Sequence, residues 1–106
     1  CHLNGNKDPR ANGFEVLYNE GSEDGQRLAL IMFDELRRQI PLRPRGLVPR
    51  MDIAFLKHIK CPSVIIEPAF LTNKEDFKFM QRVDAKDIIS TCLFITILKY
   101  DKEYLS

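Results

Sequence analysis

The sequence predicts an α/β domain in which a central, mostly parallel sheet is flanked by helices. Three observations carry that expectation. Residues 13–19 alternate apolar and polar side chains at Phe14, Glu15 and Val16, which is the period of a strand. Residues 24–40 place Leu28, Met32, Leu36 and Ile40 at steps of four, which is the period of one helix face. Val64, Ile65 and Ile66 form a continuous β-branched run between Pro62 and Pro68, the pattern of a strand buried on both faces. Strands alternating with amphipathic helices predict a layered α/β fold.

Taken in order, residues 4–12 are rich in Asn, Gly, Lys, Asp and Pro and read as a loop. The first strand ends at Asn19-Glu20-Gly21. Ser22 then offers a hydroxyl cap, and Glu23 and Asp24 supply acids where the helix dipole favours them. In the helix over residues 22–40, Ala29 and Phe33 flank the apolar stripe and Arg37 and Arg38 stand near the C-terminus. Pro41 and Pro44 stop it. The proline- and arginine-rich residues 41–50 predict irregular structure. Residues 53–56 fit a short strand or a helical turn equally, because four residues are too few to show a period. Cys61-Pro62 is a break, and Glu67 ends the β-branched strand. Asn73 caps a further helix, with Lys74, Glu75 and Asp76 in its first turn and Phe77, Met80 and Val83 as its apolar side. Asp84 caps a last helix, whose inward stripe is expected to be Ile88, Ile89, Cys92, Leu93, Thr96, Ile97 and Tyr100.

Bulk properties narrow the function classes. A chain of 106 residues is one domain at most, long enough for a modest core, and 44% hydrophobic with 29% charged content is ordinary for a globular protein. Sixteen basic against fifteen acidic side chains give a formal net charge of +1, so nothing electrostatic points to nucleic acid or an anionic membrane. Residues 88–98 are interrupted by Ser90, Thr91 and Thr96 and are too short to span a bilayer, so they predict a buried helix. The three cysteines form no Cys-x-x-Cys pair and no disulfide framework; Cys61 and Cys92 read as small buried hydrophobes. The chain opens Cys1-His2 without a methionine or a charged-then-apolar leader, and it is expected to be silent about its own targeting.

One segment reaches beyond structure. Ser63-Val-Ile-Ile-Glu-Pro-Ala-Phe-Leu-Thr-Asn73 puts a carboxylate at the carboxyl end of a very apolar strand, where α/β sheets place their ligand sites. Desolvation there raises a carboxyl pKa toward values useful for proton transfer. The plainer reading of Glu67 is a surface or capping residue.

This segment, with Arg45-Gly46 and Ile53-Ala-Phe-Leu-Lys57 before it, resembles the C-terminal signature of the zinc-dependent N-acetylmuramoyl-L-alanine amidases. Cys1-His-Leu-Asn-Gly5 is similar to the family's "I-H-A-N-A" segment, and Gly13-Phe-Glu-Val-Leu-Tyr18 to its "G-x-E-V-Y-Y" strand. The four motifs stand in the family's order. The resemblance implies that residues 1–106 are the C-terminal portion of a single amidase catalytic domain, here lacking its N-terminal portion. It implies zinc as cofactor with His2 among the ligands, Glu67 as the catalytic carboxylate, and Asn4 and Arg45 as substrate-binding residues. The substrate implied is the peptidoglycan muropeptide, whose amide between N-acetylmuramic acid and L-alanine is hydrolysed. The other zinc ligands, a His and a Glu, lie in the family before the "I-H-A-N-A" segment, and His58 reads as a surface residue. Three positions depart from the pattern: Pro68 and Ala69 stand where the family has an apolar residue and Gly, and Lys57 stands for an Arg.

The competing expectation is a non-catalytic remnant that binds muropeptide without cutting it. A third is an unrelated α/β regulatory domain in which Glu67 caps a helix. The amidase reading implies a secreted or wall-associated protein, or a phage lysin released at lysis.

Overall fold

The computed structural model describes residues 2–53, 56 and 60–105. Among them the elements are β1 (Phe14–Asn19), α1 (Glu23–Gln39), β2 (Pro44–Arg50), β3 (Val64–Glu67), α2 (Lys74–Met80) and α3 (Ala85–Tyr100). The last helix runs on into a π-helical turn at Asp101–Leu105. Leu56 is helical and buried, and its N–H donates to the Ile53 carbonyl at 3.1 Å. Ala54, Phe55, Lys57 and His58, and with them most of the expectations for that segment, lie outside the described residues.

Helix α1 forms as its sequence dictates. The Ser22 hydroxyl accepts from the Gly25 N–H at 3.0 Å, acids occupy the first turn and arginines the last. Ala29, Met32, Leu36 and Ile40 are buried in one cluster with Phe14, Val16, Tyr18 and Ile66 of the sheet and Ala85, Ile89 and Cys92 of α3. This is the core, and it lies on one face of the sheet. Leu17 and Leu56 are buried outside that cluster. Successive strand residues point to opposite faces, so Glu15 and Leu17 stand away from the helix-covered side.

The α/β class holds, and the sheet itself is mixed. Its order is β2-β1-β3, with β2 parallel and β3 antiparallel to β1. A parallel neighbour needs a return run along the sheet, which α1 supplies between β1 and β2. Strand β3 starts at the end of the sheet where β2 stops and runs back antiparallel to β1.

Strand β2 corrects the expectation of irregular structure over residues 41–50. Pro44 is its first residue, and the strand lies at an edge of this three-stranded sheet, where missing N–H donors are tolerated. The register shifts between Phe14, opposite Pro44, and Glu15, opposite Gly46, leaving Arg45 as the extra residue of a bulge. Gly46 takes a φ of 132° there, a conformation that favours glycine.

Four expectations of burial are corrected. In β3, Val64 and Ile65 are only half-buried and burial deepens at Ile66 and Glu67, so the strand is not buried on both faces throughout. In α2 the buried residues are Asp76 and Phe79, while Phe77 is exposed and Val83 fully so. The Asn73 cap is as expected, with its Oδ1 accepting from the Asp76 N–H at 3.1 Å. Helix α3 buries the stripe Ala85, Ile89, Cys92, Thr96 and Tyr100 against α1 and exposes Phe94, Ile97 and Leu98, so it is half-covered rather than buried. Asp84 makes no capping bond and instead pairs with Arg82. Cys92 is buried and Cys61 is exposed, because Cys61 sits in the break before β3 rather than in an element. Among the described residues, no helix is long and apolar enough to cross a membrane.

Candidate functional site

The extended segment around His2 and Asn4 lies along the outer edge of β3. The His2 N–H donates to the Ile66 carbonyl at 2.7 Å and the Asn4 N–H to the Ala69 carbonyl at 2.8 Å. The Leu71 N–H returns a bond to the Asn4 carbonyl at 2.8 Å. Main-chain pairing therefore carries both side chains to the end of β3, 65 residues on in sequence from His2 to Glu67. There His2 Nδ1 stands 3.2 Å from Glu67 Oε1. The His2 side chain is 67% exposed and that of Glu67 only 11%.

Across the sheet, Glu15 is directly opposite Glu67 in the β1–β3 register. Glu15 Oε1 accepts from Asn4 Nδ2 at 2.9 Å, and its Oε2 accepts from Arg45 Nε at 3.3 Å. Arg45 also donates through Nη1 to the Asn12 carbonyl at 3.3 Å, and its guanidinium lies 4.8 Å over the Phe70 ring. The four residues singled out from sequence, His2, Asn4, Arg45 and Glu67, are thus brought to one end of the sheet. It is the end where β3 finishes and β1 and β2 begin. The rule that ligands sit outside the carboxyl ends of parallel strands picks the right end for β3 and the opposite one for β1 and β2.

The two glutamates are driven apart in acidity. Burial pushes the Glu67 carboxyl above its ordinary value, and the hydrogen bond and charge of Glu15 push the same way against His2. Burial works to raise Glu15 as well, but hydrogen bonds from Glu67, Asn4 and Arg45 and the Arg45 charge outweigh it, and Glu15 ends lower. When the pair holds one proton, it resides on Glu67 and is shared with Glu15. A carboxyl raised by burial and standing beside an exposed imidazole can both take and give a proton.

Two residues escaped the sequence reading. In sequence Glu15 is only the polar step in an alternating strand; the signal is that same alternation, since a charge facing away from the core in a buried strand needs partners. Asp76 reads in sequence only as a first-turn acid, yet it is 2% exposed. Its Oδ2 accepts from the N–H groups of Gly13 at 2.7 Å and Phe70 at 2.9 Å. It ties the loop before β1 to the loop after β3 and so fixes the frame of the site. Gly13 itself has a φ of +100°, and a Cβ there would stand 2.1 Å from the Arg43 carbonyl oxygen. Among the described residues no non-glycine residue has positive φ, so Ala69 sits without backbone strain where the amidase pattern has Gly. Among the described residues, no group of three or more His, Cys, Asp or Glu side chains is placed to hold a metal; His2 and Glu67 are a pair.

Comparison with known proteins places these features in a family. A profile of the N-acetylmuramoyl-L-alanine amidases matches residues 1–98. The N-acetylmuramoyl-L-alanine amidase LytC of Bacillus subtilis is 32% identical over 88 residues, which are 81% of this chain and 18% of that protein. The germination-specific N-acetylmuramoyl-L-alanine amidase of the same organism is 24% identical over 96% of this chain and 43% of its own length. Among solved structures, the CwlD amidase of Clostridioides difficile, in complex with the GerS lipoprotein, superposes with a TM-score of 0.87 at 31% identity. The match covers 93% of this chain and 51% of that one. The chain spans less than half the length of the curated relatives it matches. It belongs to the N-acetylmuramoyl-L-alanine amidase family.

Proposed function

We propose that this chain serves the zinc-dependent hydrolysis of the amide between N-acetylmuramic acid and L-alanine in peptidoglycan, as the C-terminal portion of one catalytic domain. The observation that supports it best is Glu67, a largely buried carboxyl at a strand end, standing 3.2 Å from the exposed His2 in a chain of this family. His2 would be one ligand of the metal. The described residues do not complete a ligand set, so the remaining ligands would have to come from beyond them. When bound, zinc would supply Lewis acidity at the scissile carbonyl.

The residues of this chain take the other parts. Glu67 accepts a proton from the attacking water and hands it to the nitrogen of the leaving L-alanine, a role for which its raised pKa suits it. Asn4 and Arg45, fixed on either side of Glu15, present an amide and a cation to the muropeptide. Such an enzyme would act in the wall, as a secreted or wall-associated protein or as a lysin.

The test is Glu67→Gln in the full-length protein. It keeps the shape and removes the proton carrier, so release of peptide from purified peptidoglycan should fall by about 10²–10⁴-fold. Zinc content should stay near wild type. Full activity would make Glu67 structural, and loss of zinc with activity would make it a ligand. A wild-type protein that binds muropeptide without cutting it would be the non-catalytic remnant.

A further inference from the structure

The mechanism above uses His2, Asn4, Arg45 and Glu67 and leaves Glu15 without a part. Glu15 is nevertheless the group on which Asn4 and Arg45 converge, opposite Glu67 in the ladder. Its side chain is 16% exposed, and a carboxylate so far removed from water must have each oxygen compensated. The two oxygens are divided: Oε1 takes the Asn4 amide at 2.9 Å, and Oε2 takes the Arg45 guanidinium at 3.3 Å. These partners arrive from separate segments, 11 residues before Glu15 and 30 after it. Neither is positioned by a neighbour in sequence. Arg45 lies in the bulge of β2 and outside the ladder, so strand pairing does not aim its side chain. Glu15, the Asn12 carbonyl and the Phe70 ring aim it instead. A planar guanidinium is held in orientation by such contacts, which a rotating ammonium would not be.

We propose that Glu15 is a positioning residue for substrate binding: by dividing its carboxylate between Asn4 and Arg45, it sets where both stand relative to Glu67 and so how the muropeptide is seated. The proposal rests on the muropeptide-amidase reading. It assigns Glu15 no contact with substrate and no share in holding zinc. In Glu15→Gln, the amide oxygen still accepts from Asn4 while the amide nitrogen turns a donor toward the Arg45 donor. The variant therefore releases Arg45 and spares the segment that carries His2.

The experiment measures kcat, KM and zinc content of the full-length protein on soluble muropeptide, with calorimetric Kd for the same ligand. Glu15→Gln should raise KM about tenfold and change kcat by less than about twofold, with zinc content and unfolding midpoint unchanged. In an Arg45→Ala background the same substitution should cost less than about twofold, because its effect has already been taken. Glu15→Asp, which keeps the charge, should recover most of the loss. Full additivity with Arg45→Ala would overturn the proposal, as would loss of zinc, or a fall in kcat at constant KM. If Glu15→Gln does not fold, Glu15→Asp alone decides: a rise in KM with unchanged zinc supports the role, and a fall in kcat alone sinks it. A wild type that binds but does not hydrolyse overturns the amidase reading and leaves the Glu15 comparison legible in Kd.

Discussion

Phe14, Val16 and Tyr18 on one face of β1 are buried among the side chains of α1 and α3, in a cluster that is apolar throughout apart from the Tyr18 hydroxyl and the Cys92 thiol. Glu15 on the other face of the same strand meets Asn4, Arg45 and Glu67 within two hydrogen bonds. The alternation of a six-residue strand thus separates stability from chemistry by one residue. The helix-covered face is held by non-directional burial and depends on volume. The polar face is held by directed bonds between segments distant in sequence, and it depends on geometry. Substitutions on the two faces should therefore fail in different assays.

The largest effect after Glu67→Gln belongs to the helix-covered face. Leu36 is fully buried, and Leu36→Ala should cost about 2–5 kcal/mol in denaturant unfolding while leaving turnover per folded molecule unchanged. A cost below about 0.5 kcal/mol would break the comparison. On the polar face, His2→Ala should lower zinc retention in chelator competition by about tenfold or more, with the unfolding midpoint of the metal-free protein unmoved. Unchanged retention would remove His2 from the metal.

A smaller effect tests charge buried beneath the helices. Glu35 on α1 is 3% exposed, and its hydrogen bond to Lys99, helped by the charge of Arg38 and opposed by burial, holds its carboxyl below the ordinary range. The bridge from α1 to α3 is its carboxylate shared between Lys99 and Arg38. A lowered carboxyl pKa contributes stability that is present above the unfolded value of about 4.3 and lost as pH falls through the folded one. Glu35→Gln should flatten the acid limb of the stability profile in that window and nowhere above it. An unchanged acid limb would show the bridge to be without weight. The smallest effect is expected where α3 turns outward: Ile97→Ser, at a residue 64% exposed, should stay within about 0.5 kcal/mol. A larger loss would mean that this face is covered in the full-length protein.

How far the sequence made this legible follows from the same contrast. Helix α1 was readable because cap, dipole charges and a four-residue stripe all agree on it. Strand β2 was not, because Pro44 and Pro49 argue against a strand until its edge position is known. The apolar side of α2 was misread because the position facing inward is filled by Asp76, whose partners are the backbone of Gly13 and Phe70. Outward Ile97 was indistinguishable by hydropathy from inward Ile89. Of the site, His2, Asn4, Arg45 and Glu67 could be named from motifs, and the structure gathers them at one sheet end. That Glu15 joins Asn4 to Arg45 opposite Glu67 depends on the β1–β3 register, which no local pattern states.

The bulge at Arg45 carries a consequence for how such a chain can evolve. It adds one residue to β2 between the pairs Phe14–Pro44 and Glu15–Gly46, so the strand's inside-outside phase is reset after the first pair of its ladder. Substitutions around it change one side chain each. Deleting Arg45 itself would leave Pro44 and Gly46 consecutive opposite Phe14 and Glu15, so the later pairs would keep their register and the contact with Glu15 would be lost. A deletion after Gly46 would shift every later residue of β2 by one step and turn it to the opposite side of the sheet. Insertions and deletions should therefore collect in the loops outside residues 44–50, while this short stretch varies by replacement alone.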